Sequence, residues 1–419
     1  NKYAFFPSVA AAWKLSEEPF IANMGLFDDL KLRASYGVSG SQAIGSFRTL
    51  AVITDANSTS NGVLVPGATL GRPANEGLRW ETTRQLDIAL EAGFLNGRIF
   101  TEINYYKKNT FDLLLDVLIP RQTGFQTRLD NLGEVQNQGV ELLINSVNVN
   151  NNNFKWSSML TLSANRNKVI DLGGADFINV ISPAQQSGVG ARLIVGQPAP
   201  VFVGVDYLGT WKNQEEIDAS GQANQDVGGA RFDDPNGDGI ITQDEFYILG
   251  NPQPDFIYGF QNTFNLKNWE FSFFIQGTQG NEVYNARTVT YFFGRPGANK
   301  YAETLDRWTP DNPTSDIPRA GAMEALGEIP SNSEFVEDGS HLRLKNVRLA
   351  YNFPVQKWTN NTIKNLNVYF VGTNLLLLSD FRFIDPEASQ FGTGNITQGF
   401  ADGQFPNPRI FTFGLNATF

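Results

Sequence analysis

The chain contains no cysteine, a single histidine and three methionines in 419 residues. Without thiols there are no disulfide staples, no cysteine-based metal centres and no thiolate nucleophile. With His341 alone, histidine metal clusters and Ser-His or Cys-His catalysis have almost no material to work with. Long apolar runs are missing too. The most apolar stretch, residues 375–378, falls far short of the roughly 18 residues a membrane-spanning helix needs. That shortage does not exclude a transmembrane barrel, whose strands are apolar only at every second position. Basic residues number 32 against 43 acidic ones, a formal charge of -11, which argues against a nucleic-acid partner. The sequence does not open with methionine or a charged leader. The expectation is therefore the C-terminal part of a longer polypeptide.

What is abundant points to strands. Aromatics reach 12%, with 33 Phe, and Gly stands at 40 beside many Asn, a mixture suited to extended segments and turns. Hydrophobic residues make up 41%, slightly low for a globular enzyme. As a soluble protein, a chain of this length would hold two or three domains.

The last residues show the dominant pattern. Phe411, Phe413, Leu415, Ala417 and Phe419 alternate with Thr412, Gly414, Asn416 and Thr418. An extended chain puts these two sets on opposite faces. Leu30, Leu32, Ala34, Tyr36 and Val38 repeat the pattern, as do Leu86, Ile88, Leu90, Ala92 and Phe94. So do Trp156, Ser158, Leu160, Leu162 and Ala164, then Phe256, Tyr258, Phe260 and Phe264, and Trp269, Phe271, Phe273 and Ile275. Less regular strands cover 3–14, 98–113, 133–149, 342–353 and 366–378. The phase slip at Lys345 and Asn346 predicts a bulge. The count is about eleven strands.

The connections alternate in length. Residues 96–97, 150–153 and 266–268 are short, and 18–29 and 354–365 moderate. Residues 40–77, 114–132, 171–252, 281–340 and 380–408 are long. Short turns alternating with long loops are the habit of an outer-membrane barrel, turns to the periplasm and loops outside. Compact soluble domains rarely carry loops of this length. A soluble antiparallel sheet with one face on a core gives the same stripes, but aromatics at Trp13, Trp80, Trp156, Trp269, Tyr105, Tyr106 and Tyr351 fall near strand ends, as interfacial girdles do. The expected fold is all-β: a transmembrane antiparallel barrel. With the last strand ending on the periplasmic side, an odd count starts outside, so half a barrel is expected and further strands upstream.

One motif carries chemistry. Asp234-Pro235-Asn236-Gly237-Asp238-Gly239-Ile240-Ile241-Thr242-Gln243-Asp244-Glu245 fits the twelve-position calcium-loop pattern throughout. Asp234, Asn236 and Asp238 offer side-chain oxygens, Ile240 its carbonyl, Thr242 a direct or water-mediated contact, and Glu245 a bidentate carboxylate. Hard oxygen ligands suit calcium over transition metals. The plainer alternative is an Asp/Asn/Gly turn that binds nothing. The flanks lack amphipathic helices, so the loop reads as a structural clip within 171–252 rather than a helix-loop-helix sensor.

Other signals are weaker. The carboxylate pairs Glu17–Glu18, Glu215–Glu216 and Asp28–Asp29 read as solvated turns, not acid/base machinery. Gly188-Val189-Gly190 lacks the strand-to-helix setting of a phosphate cradle. Loop aromatics Tyr207, Trp211, Tyr291, Phe292, Phe293, Trp308, Phe381 and Phe383 could meet a substrate or a partner, or simply pack the loops together. His341 opens a strand and is expected at the rim. No enzymatic activity is expected.

Several segments resemble the C-terminal half of SusC/RagA-type TonB-dependent transporters. They are Phe5-Phe6-Pro7-Ser8-Val9-Ala10-Ala11-Ala12-Trp13, Leu30-Lys31-Leu32-Arg33-Ala34-Ser35-Tyr36-Gly37 and Leu78-Arg79-Trp80-Glu81-Thr82-Thr83. Asn236-Gly237-Asp238-Gly239, Gly250-Asn251-Pro252-Gln253-Pro254-Asp255-Phe256 and Asp338-Gly339-Ser340-His341-Leu342-Arg343-Leu344-Lys345-Asn346 follow. Pro408-Arg409-Ile410-Phe411-Thr412-Phe413-Gly414-Leu415-Asn416 closes the set, so the likeness runs through nearly the whole of 1–419 in order. The resemblance implies a 22-stranded barrel in the outer membrane of a Gram-negative cell. It implies import of oligosaccharides or peptides beneath a SusD-like surface lipoprotein lid, driven through TonB. The plug domain, the TonB box and the first barrel half have no counterpart in this sequence. The family's calcium loop often ends in Asp, where this chain has Glu245 preceded by Asp244. Two other readings stand beside transport: a structural or adhesive outer-membrane barrel, and a soluble calcium-dependent carbohydrate-binding protein.

Overall fold

Alternation over long stretches becomes eleven strands: β1 (Ser8–Lys14), β2 (Asp29–Ser41), β3 (Glu81–Phe94), β4 (Ile99–Phe111), β5 (Glu134–Asn150), β6 (Phe154–Asp171), β7 (Phe256–Leu266), β8 (Trp269–Gln279), β9 (His341–Phe353), β10 (Asn365–Ser379) and β11 (Ile410–Thr418). The computed structural model describes residues 4–41, 47–60, 62–125, 127–181, 189–294, 297–322, 329–360, 362–387 and 396–419. Tyr3 and Gly188, which entered the expectations above, lie outside them. The strands form one sheet in sequence order from β1 to β11, every neighbour antiparallel. The expected count of about eleven is met.

Register sorts the side chains into two faces, because directly paired residues share a side. Leu32, Leu90, Ile103, Leu142, Leu162 and Tyr258 pair in one continuous row across β2 to β7. One residue along each strand, Lys31, Glu91, Glu102, Leu143, Thr161, Gly259, Gln276 and Arg343 form a row on the other face. Leu32, Leu90, Ile103 and Leu162 remain exposed, as do Phe260, Phe271, Phe411, Phe413 and Leu415. These apolar stripes are therefore not the inner face of a stacked sandwich; among the described residues no second layer is packed on them. The polar face carries grooves. Arg33, Ser35, Asp87, Glu102 and Asn104 line one groove on it, and ion pairs lace it together, from Lys31 to Glu91 at 3.3 Å and from Arg33 to Glu91 and Glu102.

The connections separate by parity as expected. Short ones at 15–28, 95–98, 151–153, 267–268 and 354–364 lie at one end, and long ones at 42–80, 112–133, 172–255, 280–340 and 380–409 at the other. Trp13, Trp156, Trp269 and Tyr351 sit at the short-turn end, with Trp269 and Tyr351 ring centres 4.7 Å apart. Tyr105 and Tyr106 do not belong to that girdle. They lie in the middle of β4 and face opposite sides; Tyr105 is exposed and Tyr106 donates to Asn165 across 2.9 Å. The bulge is where the phase slip placed it: Lys345 has no partner between the Ile275–Leu344 and Phe274–Asn346 pairs.

The buried core lies above the wall, in the long connections. Residues 172–255 contribute a four-stranded sheet of Phe177–Ile181, Val189–Ile194, Val201–Gly204 and Tyr247–Gly250. Glu282–Asn285 from the next connection pairs with Val336–Asp338 and, in parallel, with Phe400–Ala401 from the last. Phe202, Tyr284, Phe335 and Phe400 close on one another at ring distances of 5.1–5.7 Å, all completely buried. Each such ring contributes on the order of 1.5–3 kcal/mol by leaving water. Three long connections are thus one packed body rather than separate tethers.

Candidate functional site: a carboxylate loop and a capped inner wall

The loop 234–245 is built by short side chains turning back on their own backbone. Asp234 Oδ1 and Oδ2 accept from Gly237 N at 3.0 Å and Gly239 N at 2.9 Å. Asn236 Oδ1 accepts from Asp238 N, and Asp238 Oδ1 from Ile240 N, both at 2.8 Å. Gly237 and Gly239 take φ values of 71° and 84°, a region that favours glycine. A Cβ on Gly239 would also collide with the Gly221 carbonyl. Thr242 caps a single turn, Gln243–Glu245, in which Glu245 Oε2 accepts from Thr242 N. A three-residue turn, not a helix, therefore leaves the loop, as the lack of amphipathic flanks implied.

Folding this way brings Asp234, Asp238 and Glu245 together, with one carboxylate oxygen of each within 4.8 Å of the others. Among the described residues no Lys or Arg pairs with the three. Like charges this close are unfavourable unless a cation joins them. Glu245 Oε1 is buried without a hydrogen-bond partner. Asn236 Nδ2 donates to Asp238 Oδ2 at 3.1 Å, Thr242 Oγ1 to Glu245 at 3.1 Å, and the Ile240 side chain is exposed. Arg192 anchors the exit of the loop: its guanidinium donates to Phe246 O at 3.1 Å and Gln243 O at 2.5 Å and lies over the Phe177 ring. Burial pushes its pKa below the usual arginine value.

The loop aromatics divide. Trp211, Phe292, Phe293 and Phe381 are buried, which removes them from contact with a substrate. Tyr207 stacks edge-on against Phe292 and Phe293 at 5.8 and 5.3 Å and donates to the Asp316 carbonyl. Burial drives its phenol well above the ordinary tyrosine range. Tyr291, Trp308 and Phe383 are half-buried. Tyr291 lies 5.4 Å from Tyr301 and 6.2 Å from Phe383. Arg382 ties the last connection to the one before it through Glu303, Glu334 and Glu337 at 2.6–3.2 Å.

A second cluster, which motif reading did not reach, lies on the inner wall. Arg343 Nη2 meets Asp385 Oδ1 at 2.6 Å, and its Nε meets Glu387 Oε2 at 2.6 Å. Gln276 Nε2 donates to Glu387 Oε1 at 2.9 Å, and Lys345 Nζ stands 3.7 Å from Glu387. His341 faces the same carboxylate at 3.5 Å. It opens β9 as expected, yet it is buried rather than displayed at the rim, because 380–387 folds inward over it. His341, with Arg343 and Lys345 behind it, holds the Glu387 carboxyl down to about 2, against the upward push of burial. Nothing local in the sequence announces this cluster, since Arg343 and Asp385 are 42 positions apart.

Comparison with known proteins fits this architecture. Residues 1–375 match the sequence profile of the family described as TonB dependent receptor-like, beta-barrel. The chain is 58% identical over 423 residues to TonB-dependent receptor P26 of Formosa agariphila, covering 100% of this chain and 43% of that protein. It is 29% identical over 429 residues to TonB-dependent receptor SusC of Bacteroides thetaiotaomicron, covering 100% of this chain and 40% of SusC. The solved structure of the RagAB peptide transporter superposes with a TM-score of 0.81 at 25% identity, over 99% of this chain and 44% of that one. The chain therefore spans less than half the length of these relatives. They carry the names of receptors and a transporter, not of enzymes. The chain belongs to the TonB-dependent receptor β-barrel family, outer-membrane proteins that cross the bilayer with strands.

Proposed function

We propose that this chain forms the wall and outer loops of an energised importer of oligomeric nutrients, glycan or peptide. The observation that carries the reading is the grooved polar wall with the fused body of three long connections at one end. Such a wall lines a hydrated path, and such a body can hold a ligand or a lid above it. A SusD-like surface lipoprotein is the lid. TonB supplies the energy through a plug belonging to the portion of the relatives that this chain does not span. The wall is passive, and no residue in it breaks a covalent bond. The likeness to RagAB, a peptide transporter, supports the oligomeric class. Deleting the gene abolishes uptake of the oligomer, and collapsing the proton-motive force does the same. A deletion strain that still takes it up at the normal rate contradicts the proposal.

The loop 234–245 is a calcium clip in this reading. The donor set fits the ion: hard carboxylate oxygens from Asp234, Asp238 and Glu245 gathered together, with a buried Glu245 oxygen left unmatched. Asn236, Thr242 and the Ile240 carbonyl complete the oxygen ligands. When bound, the ion supplies charge compensation alone. The residues themselves brace Gly239 against the Gly221 carbonyl and join the loop to the core through Arg192. Calcium titration calorimetry of the purified protein tests this, with heat expected for the wild type and none for E245Q.

A further inference from the structure

We propose that the outward, lipid-facing side of β3 to β6 carries a binding site for the phosphate of an outer-leaflet glycolipid. The inference rests on the membrane wall and holds whatever the barrel transports.

Strand register builds the site. On the apolar face Lys107, Gln138 and Arg166 pair in one row, and Arg84, Asn109, Gln136 and Lys168 in the next row towards the long connections. Among the described residues, the outward positions of β2 to β8 hold no other Lys or Arg. Positive charge on this face is therefore gathered on β3, β4 and β6. Arg84 and Lys107 are diagonal neighbours on adjacent strands, about 7–8 Å apart. Arg166 and Lys168 stand two residues apart on β6, with the amides of Gln136 and Gln138 between the two pairs.

Depth places the patch at a headgroup. Beneath it the same face runs through Ile88, Tyr105, Val140 and Ala164, then Leu90, Ile103, Leu142 and Leu162. From Phe94 at the short-turn end to Arg84 is about 33 Å along the strand, or about 25 Å across the bilayer once the strand is tilted, the height of a barrel's apolar band. An unmatched Lys or Arg facing lipid is costly at the midplane and nearly free at the interface. The carboxylates of this face, Glu134 and Asp171, pair one row further out, and Glu134 is engaged by Asn109. The cations thus lie next to the hydrocarbon, where a glycolipid carries its phosphate, with the carboxylates at the level of its sugars.

The charges are open to a ligand. Arg84, Lys107 and Lys168 are exposed. Arg166 is matched by Asp255 at 2.9 Å, but among the described residues no carboxylate pairs with the other three. The Arg84 guanidinium lies over the Phe111 ring at 4.9 Å, a stacking that leaves its N–H edge free for an oxyanion. Facing away from the inner wall, these side chains cannot touch anything that passes through the barrel. Long cationic side chains at this depth reach up to the headgroup level, where anionic lipid is what they meet.

The test uses the full-length protein purified in a non-ionic detergent. It is titrated with lipid A carrying its phosphates and with the same lipid dephosphorylated, and bound lipid is counted by native mass spectrometry. Heat-dependent gel mobility confirms that each variant is a folded barrel. The expected half-saturating concentration is about tenfold or more lower for the phosphorylated lipid, and it rises about tenfold or more in R84Q/K107Q/K168Q. The charge-conserving R84K/K107R/K168R should bind as the wild type does. So should K108Q, because Lys108 faces the opposite side of the strand from Lys107. Equal binding of the two lipids by the wild type overturns the proposal, as does unchanged binding in the triple glutamine variant. A loss in K108Q as large as in the triple variant reduces the effect to net charge and overturns the site. Displacement of the lipid by excess inorganic phosphate at matched ionic strength assigns the patch to the free ion and overturns the lipid.

Discussion

Arg343 and Asp385 form an ion pair at 2.6 Å in which both side chains are at most 3% exposed. Asp385 also accepts from Asn407 N at 3.0 Å, so one carboxylate pins both ends of the last long connection to the wall. Removing one partner strands a buried charge, an expected loss of about 3–5 kcal/mol. In R343M that loss falls on residues 380–409 rather than on the wall. Hydrogen exchange at Phe400 and Ala401, which pair in parallel with Tyr284 and Asn285, is expected to quicken while β3 and β4 stay protected. Unchanged exchange at Phe400 argues against a pinned connection.

The same attachment carries a pH signature. The Glu387 carboxyl sits at about 2 in the folded protein, below the roughly 4.3 of a free glutamate. A lowered folded pKa stabilises above the unfolded value and loses that contribution as pH falls towards the folded one. The connection is therefore expected to hold at neutral pH and to loosen between about pH 4.5 and 2. The absence of cysteine allows a single spin label at Gln398→Cys to report it. Its spectrum should mobilise over that window in the wild-type background and lose the transition in E387Q. An identical transition in E387Q places the titration elsewhere.

Calcium should act on the loop body. A ligand at about 100 times its Kd adds roughly 2.7 kcal/mol to the folded form. Chelation is expected to lower the first calorimetric transition of the wild type, while D234N and E245Q, already low, do not respond. A chelator-insensitive wild type would remove the clip from the mechanism.

Gly414 is occupied by its neighbour. Tyr369, its direct partner on β10, lays its ring where a Cβ on Gly414 would be. G414V is expected to destabilise by about 1–3 kcal/mol through overpacking. Y369A in the same background should recover most of it. Heat-dependent gel mobility of the barrel reports both, and additive losses would refute the steric explanation.

Much of the wall was legible because period-two alternation survives wherever one face meets hydrocarbon and the other water. The Leu32-to-Tyr258 row and the Lys345 bulge both follow from reading phase along single strands. The loop body was not legible. Phe202, Tyr284 and Phe400 come from three connections, and a two-residue parallel pairing such as Tyr284 with Phe400 leaves no periodic trace. For the same reason the aromatics Trp211 and Phe293 could be named but not assigned a buried position. The girdle expectation fails for Tyr105 and Tyr106 because both stand mid-strand, whether β4 is taken as 98–113 or as Ile99–Phe111. The turns of the carboxylate loop were legible, since their hydrogen bonds close within twelve residues. The Arg343–Asp385–Glu387 cluster was hidden because its members meet only after the last connection folds inward.

The most direct measurement compares two adjacent positions. Leu162 lies on the apolar face and Ser163 on the polar one. Nitroxides at Leu162→Cys and Ser163→Cys, one per protein in reconstituted bilayers, are tested for collision with oxygen and with a water-soluble nickel chelate. Position 162 should favour oxygen, which partitions into hydrocarbon, and position 163 the chelate. Equal shielding of both from oxygen and chelate would mean that the leucine row packs against protein, and the membrane wall described here would be wrong.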